Sequence, residues 1–218
     1  MPHKVVLAGA TGLVGNLLLQ QFLQHPDFSE VLILVRKQLP IQHKKLKQLV
    51  INFDRLQDYA SEINGHALFC CLGTTRKKTP DLNLYRKIDH DYPVELAKIG
   101  AKNSITQFHY ISSIGANANS FAFYTKLKGE TERDLKTVPI QSLHIYQPSF
   151  LTGNRAEKRF GERLGIKIFR LINLFLIGKL KKYRSISAAD VAKAMLNQSL
   201  KESSGIFIYP SDQIKQLA

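Results

Sequence analysis

Gly9-Ala10-Thr11-Gly12-Leu13-Val14-Gly15, placed directly after the apolar run Val5-Val6-Leu7-Ala8, decides the fold of this chain. Glycines at this spacing let the backbone turn sharply out of a strand and come close to a pyrophosphate. A helix that follows then offers its unpaired N–H groups and positive dipole end to that anion. A glycine triplet alone says little. Here a short buried-strand pattern precedes it and a helical one, Leu17, Leu18, Leu19, Phe22 and Leu23, follows it. That context makes it a dinucleotide loop rather than a bare turn.

Composition sets the outer limits. A chain of 218 residues is one domain by length, and 44% hydrophobic residues give it a core. The first residues show no long apolar region with a cleavage site, so no secretory leader is expected. Cys70 and Cys71 are adjacent inside an apolar strand pattern. Neighbouring cysteines make neither a disulfide framework nor a zinc site, so they read as small core residues of a reducing compartment. A cytoplasmic location and no metal follow as expectations.

The formal charge of +14 could attract nucleic acid, anionic lipid or phosphorylated ligands. The basic residues cluster at Arg36-Lys37 with Lys44, Lys45 and Lys47, at Arg76-Lys77-Lys78, and between Arg155 and Arg184. None is interleaved with aromatics in a nucleic-acid motif and no finger or helix-turn-helix spacing is present, so nucleic-acid binding is not expected.

Strand-like and helix-like segments alternate as far as Ile145, the pattern of an α/β doubly wound parallel sheet. Strands are predicted at Lys4–Ala8, Val31–Val35, Leu49–Phe53, Ala67–Leu72, Thr106–Ser112, Ser142–Tyr146 and Ile206–Tyr209. Helices are predicted at Gly12–Gln24, around Leu56–Ile63, at Leu84–Ala101 with a kink at Pro93, and at Phe123–Leu135, Lys158–Leu180 and Ala188–Leu200. The pattern describes a single Rossmann-type domain spanning 1–218, with a small C-terminal substrate- or partner-facing part at 149–204. Lys167, Arg170 and Asn173 interrupt the stretch Leu164–Tyr183, whose longest unbroken apolar piece is too short to span a bilayer. A pocket cover, a protein partner (a second copy included) and an anionic membrane surface all suit the basic stretch 155–184.

Tyr124-Thr-Lys-Leu-Lys128 places a phenol and an ammonium one helical turn apart. The positive charge favours the phenolate and brings Tyr124 toward working pH as a general acid for a carbonyl oxygen receiving hydride. Ser112 and Ser113 end the fifth strand, and a hydroxyl there can orient a substrate carbonyl. Ser113, Tyr124 and Lys128 form the catalytic candidate set.

These residues together resemble the short-chain dehydrogenase/reductase superfamily. The Gly-x-x-Gly-x-x-Gly form and Tyr146-Gln147-Pro148 are similar to its extended and atypical branches. More narrowly, Cys71-Leu-Gly-Thr-Thr-Arg76, Asp89-His-Asp-Tyr92, Ser112-Ser113, Tyr124-x-x-x-Lys128-Gly-Glu130 and Gly153-Asn-Arg-Ala-Glu-Lys-Arg159 resemble the Tat-interactive-protein family of NADPH-binding oxidoreductase-like proteins. The likeness runs from Lys4 to Arg159 and is loose beyond, apart from Ile186-Ser-Ala-Ala-Asp-Val-Ala192. It implies that Gly9, Thr11, Gly12, Leu13, Val14 and Gly15 line the pyrophosphate. Leu72, Gly73 and Thr74 would lie on the adenine and ribose side. Tyr124 and Lys128 would hold the nicotinamide ribose, with Pro148, Leu151 and Arg159 near the cofactor.

Sites that prefer NAD place a carboxylate at the end of the second strand, to accept from the ribose 2′-hydroxyl. This chain has Arg36-Lys37 there, and a guanidinium can clamp a 2′-phosphate, so NADP(H) is the expected cofactor. Two departures from the resemblance stand out. Asp89 occupies the place where many superfamily members carry a proton-relay asparagine. The short stretch after Pro148 favours a small or hydrophobic carbonyl or alcohol over a sugar nucleotide. The sequence thus describes an NADP(H)-dependent carbonyl reductase or dehydrogenase. The alternative is an NADPH-sensing regulator that binds a protein partner or a membrane surface without turnover.

Overall fold

A computed structural model of the chain describes residues 2–153 and 178–218. Seven strands form one parallel sheet: β1 (His3–Ala8), β2 (Phe28–Val35), β3 (Leu46–Val50), β4 (Ala67–Cys70), β5 (Gln107–Ile111), β6 (Ser142–Gln147) and the last strand of the chain, Gly205–Pro210. Two short strands between β6 and that last one, β7 (Leu151–Thr152) and β8 (Ile186–Ser187), pair only with each other. The last strand is therefore β9, and the main order is β3-β2-β1-β4-β5-β6-β9. The chain reverses its direction of travel across the sheet between β1 and β4, which opens a crevice beyond their carboxyl ends.

Both faces of the sheet are covered. Along β1, Val5 and Leu7 enter one core while Val6 and Ala8 enter the other. Helix α1 (Leu13–Gln24) buries Val14, Leu18, Leu19, Phe22 and Leu23 on the first face. The opposite face carries a 3-10 run (Phe53–Glu62), two helical pieces, α2 (Leu82–Arg86) and α3 (Tyr92–Lys102), and α4 (Phe123–Leu135). Helix α5 (Ala188–Ser199) joins α1 on the first face, and α6 (Ser211–Leu217) ends the chain.

Two predicted elements differ, and a third lies almost wholly outside the described residues. The third strand is Leu46–Val50 rather than Leu49–Phe53, because the Asn52 side chain accepts from Asp54 N–H at 3.0 Å and starts the 3-10 run there. The single helix Leu84–Ala101 is two α-helices joined by a π-turn, Lys87–Asp91. Pro93 explains the break: it has no N–H for the carbonyl of Asp89, four residues earlier. Of the predicted helix Lys158–Leu180, only 178–180 lie among the described residues. They open a 3-10 turn, Gly178–Tyr183.

A row of rings crosses the first face at right angles to the strands. Phe69, His109, His144 and Phe207 are direct cross-strand neighbours on β4, β5, β6 and β9. Their centroids lie 4.5, 4.4 and 5.0 Å apart, with the ring planes nearly parallel. Each histidine ring is tied by both nitrogens: His109 to Tyr146 Oη and Gln107 Oε1, His144 to Ser142 Oγ and Tyr209 Oη.

Burial holds His109 well below the ordinary histidine range and takes His144 down to about 4, so both are neutral in the fold. The unfolded chain binds protons at these positions below about 6.5, and the native chain does not. Stability therefore falls as pH drops through that value, with His144 alone accounting for about 2 kcal/mol at pH 5. Thermal melting is expected to drop clearly between pH 7.5 and 5, and His144→Phe should flatten that slope.

Candidate functional site

The crevice begins where β1 ends. Gly9 has φ +89, and a Cβ there would lie 2.5 Å from the carbonyl oxygen of Cys71, just past β4. A Cβ on Gly15 would come within 2.2 Å of the Gly9 carbonyl oxygen. The loop is thus folded onto the end of β4 with no room for side chains at these two positions. No side chain caps α1 at Gly12 and its first turn has no acidic residue. Its N-terminal N–H groups face the crevice uncapped, as an anion requires. Thr11, Leu13 and Val14 lie in this turn, and the Leu13 side chain reaches Gly153 beside β7. That contact brings the Leu151–Gly153 segment to the loop.

Arg36 and Lys37 follow β2 directly, are exposed, and have no ion-pair partner among the described residues. Two other basic residues of that region differ. Lys45 donates to the His25 carbonyl at 2.6 Å, and Lys47 pairs with Glu30 at 2.5 Å.

Beyond β4, Leu72 and Gly73 lead to Thr74, whose N–H donates to Asp89 Oδ2 at 2.9 Å. Asp89 sits in the π-turn, 1% exposed, and its other oxygen lies 3.1 Å from Lys128 Nζ. The ammonium donates to Tyr110 Oη at 3.0 Å and to the Ile111 carbonyl at 3.2 Å. With the Asp89 carboxylate, these contacts meet all three of its N–H groups. Burial opposes the charge on Lys128, but the Tyr110 oxygen and the Asp89 carboxylate outweigh it and hold its pKa well above the usual lysine value. The carbonyl oxygen that Pro93 leaves free on Asp89 accepts from Tyr110 Oη at 3.2 Å and from Thr131 Oγ1 at 3.1 Å.

The two serines at the end of β5 have separate fates. Ser112 Oγ donates to buried Glu132, which also accepts from Gln147 Nε2 at 2.8 Å. Ser113 Oγ is buried and has no hydrogen-bond partner among the described residues. Such an orphan is open to a ligand's polar atom. Tyr124, in the first turn of α4, is exposed and lies one helical turn before Lys128. Pro148 ends the sheet side of the crevice, its carbonyl accepting from Ile114 N–H at 3.0 Å. Arg159 lies outside the described residues.

A nicotinamide dinucleotide fits these residues: the glycine cradle has no space for side chains, the helix start is uncapped, and Ser113 is an orphan. Sequence reasoning missed Tyr110, Thr131 and Glu132 as supports. A tyrosine two positions before the serine pair, on the same strand, was the available signal for Tyr110. For Asp89, the signal was a proline four residues later.

Fold and crevice together define a dinucleotide-binding oxidoreductase scaffold. A family model described as the NAD dependent epimerase/dehydratase family matches residues 5–212, and the chain belongs to that family. Protein HTATIP2 of Rattus norvegicus is 32% identical over 207 residues, covering 93% of this chain and 83% of that protein. Protein FMP52, mitochondrial, of Kluyveromyces lactis is 35% identical over 169 residues, covering 76% and 75%. Among solved structures, the Bordetella bronchiseptica enzyme WbmG in complex with NAD superposes with TM-score 0.69 at 15% identity, over 99% of this chain and 76% of that one. The UDP-N-acetylglucosamine 4-epimerase of Methanobrevibacter ruminantium gives 0.71 at 16% identity, over 96% and 76%. The predicted Rossmann-type parallel sheet and the relationship to the Tat-interactive proteins are both borne out. Among the described residues no helix is long and apolar enough to cross a membrane.

Gly15→Ala forces a methyl into the Gly9 carbonyl. We expect a loss of about 1–3 kcal/mol in denaturant unfolding, with binding of a reduced nicotinamide dinucleotide, followed by its fluorescence, weakened beyond detection.

Proposed function

We propose that the protein is an NADP(H)-dependent carbonyl reductase or alcohol dehydrogenase acting on a small or hydrophobic substrate. The observation that carries this reading is the buried hydroxyl of Ser113, which has no partner among the described residues and can hold a substrate oxygen. When bound, the nicotinamide supplies or accepts the hydride. The chain supplies everything else. Uncapped N–H groups at the start of α1 bind the pyrophosphate, and Arg36 with Lys37 hold the 2′-phosphate. Ser113 orients the substrate carbonyl, and Tyr124 delivers the proton to its oxygen. Lys128 exchanges one of its three contacts for the ribose, and its charge favours proton release from Tyr124. A cytoplasmic location goes with this reading, and both cysteines are free thiols, as a reducing compartment would leave them. A fluorescent fusion separates that location from the mitochondrial one named for the Kluyveromyces lactis relative.

Two substitutions test the assignment. Tyr124→Phe is expected to lower turnover of a panel of small aldehydes and ketones at least a hundredfold while NADPH binding stays within about twofold. Turnover that survives would remove Tyr124 from the reaction. Dead substrate panels with tight NADPH binding in the unsubstituted protein would instead favour a cofactor sensor. Arg36→Ala is expected to weaken NADPH about tenfold or more and to leave NADH unchanged. Equal loss for both would overturn the NADP preference.

A further inference from the structure

Asp89 bridges the two sides of the crevice. One carboxylate oxygen meets the Lys128 ammonium at 3.1 Å, and the other accepts the Thr74 N–H at 2.9 Å. The same residue's backbone carbonyl accepts from Tyr110 and Thr131. A surface carboxylate would wander. This one is 1% exposed and fixed at three atoms, so the ammonium it faces is fixed too.

We propose that Asp89 is a positioning residue: it holds the Lys128 ammonium in place, balances its charge, and by that balance sets how readily Tyr124 gives up its proton. This rests on the reading of Tyr124 as the proton donor.

The groups around the pair come from four elements besides the π-turn. They are Cys70 on β4, Tyr85 on α2, Tyr110 on β5, and Tyr124 with Lys128 on α4. Burial pushes Cys70 and Tyr85 up to about 12 and Tyr110 higher still, so all three are uncharged near neutral pH. That leaves one cation and one anion beside Tyr124. With both present, Tyr124 feels a nearly neutral pair. With the carboxylate removed it feels an unbalanced positive charge, and its phenolate becomes easier to form. With the ammonium removed, the opposite holds.

The full-length protein carrying tyrosine labelled with carbon-13 at Cζ reads this directly, without substrate or cofactor. The Tyr124 signal is assigned by its loss in Tyr124→Phe. Asp89→Asn keeps the shape and removes the charge. Its Tyr124 is expected to titrate about 0.5–1 pH unit below that of the unsubstituted protein. Lys128→Met should move it upward, and the double variant should lie between the two singles. A merely structural Asp89 would leave the midpoint where it was, and an unmoved midpoint in folded Asp89→Asn overturns the proposal. Should Asp89→Asn fail to fold, Lys128→Met is compared with the double variant, which removes both buried charges together. Identical midpoints in those two also overturn it. The two readings fail separately. Turnover in Tyr124→Phe removes the proton donor whatever the titration shows, whereas an inactive Tyr124→Phe with unmoved midpoints removes only the role of Asp89.

Discussion

The backbone of the glycine loop rests against the end of β4, and the rest of the crevice depends on that contact. Cys71 N–H donates to the Ala8 carbonyl at 2.9 Å, and Gly9 and Gly15 leave no space between the loop and the Cys71 backbone. The start of α1 is thereby fixed at the switch point of the sheet, with its first N–H groups uncapped. Moving the loop outward by one methyl would displace the helix start and the segment that Leu13 holds at Gly153. The anion-binding end and the C-terminal segment are therefore one packing problem.

On the opposite face a missing hydrogen bond does the organising. Pro93 cannot serve the Asp89 carbonyl, so the chain widens into a π-turn and that oxygen becomes the shared acceptor of Tyr110 and Thr131. An ordinary helix would have carried the carbonyl along its axis and turned the Asp89 side chain elsewhere. The break delivers a carboxylate to a lysine that is almost entirely buried, where an unpaired charge would be costly.

Much of this was legible in the chain. The order of strands, the loop after β1, and the choice of Ser113, Tyr124 and Lys128 as residues to watch all follow from spacing and local pattern. What could not be read were consequences of contact. Nothing in Ser112-Ser113 says which hydroxyl will be taken by Glu132, twenty residues on, and which will be left alone. Nothing local separates Arg36 and Lys37 from Lys45 and Lys47, which spend their charge on His25 and Glu30. The helix written through Pro93 shows the reverse case. The proline was visible, but its effect falls four residues upstream, on a carbonyl with other partners waiting.

The row of rings from Phe69 to Phe207 also has a geometric meaning. Parallel strands buried on both faces carry similar apolar runs, so a shift of two residues along the chain keeps the same side chains inward. Such a slip of β6 would put Ser142 or Tyr146 opposite His109, breaking the stack and orphaning ring nitrogens in a dry interior. The row therefore acts as a spirit level for β4, β5, β6 and β9. It keeps in register the strands that lead to Leu72, Ser113 and Pro148 at the mouth of the crevice.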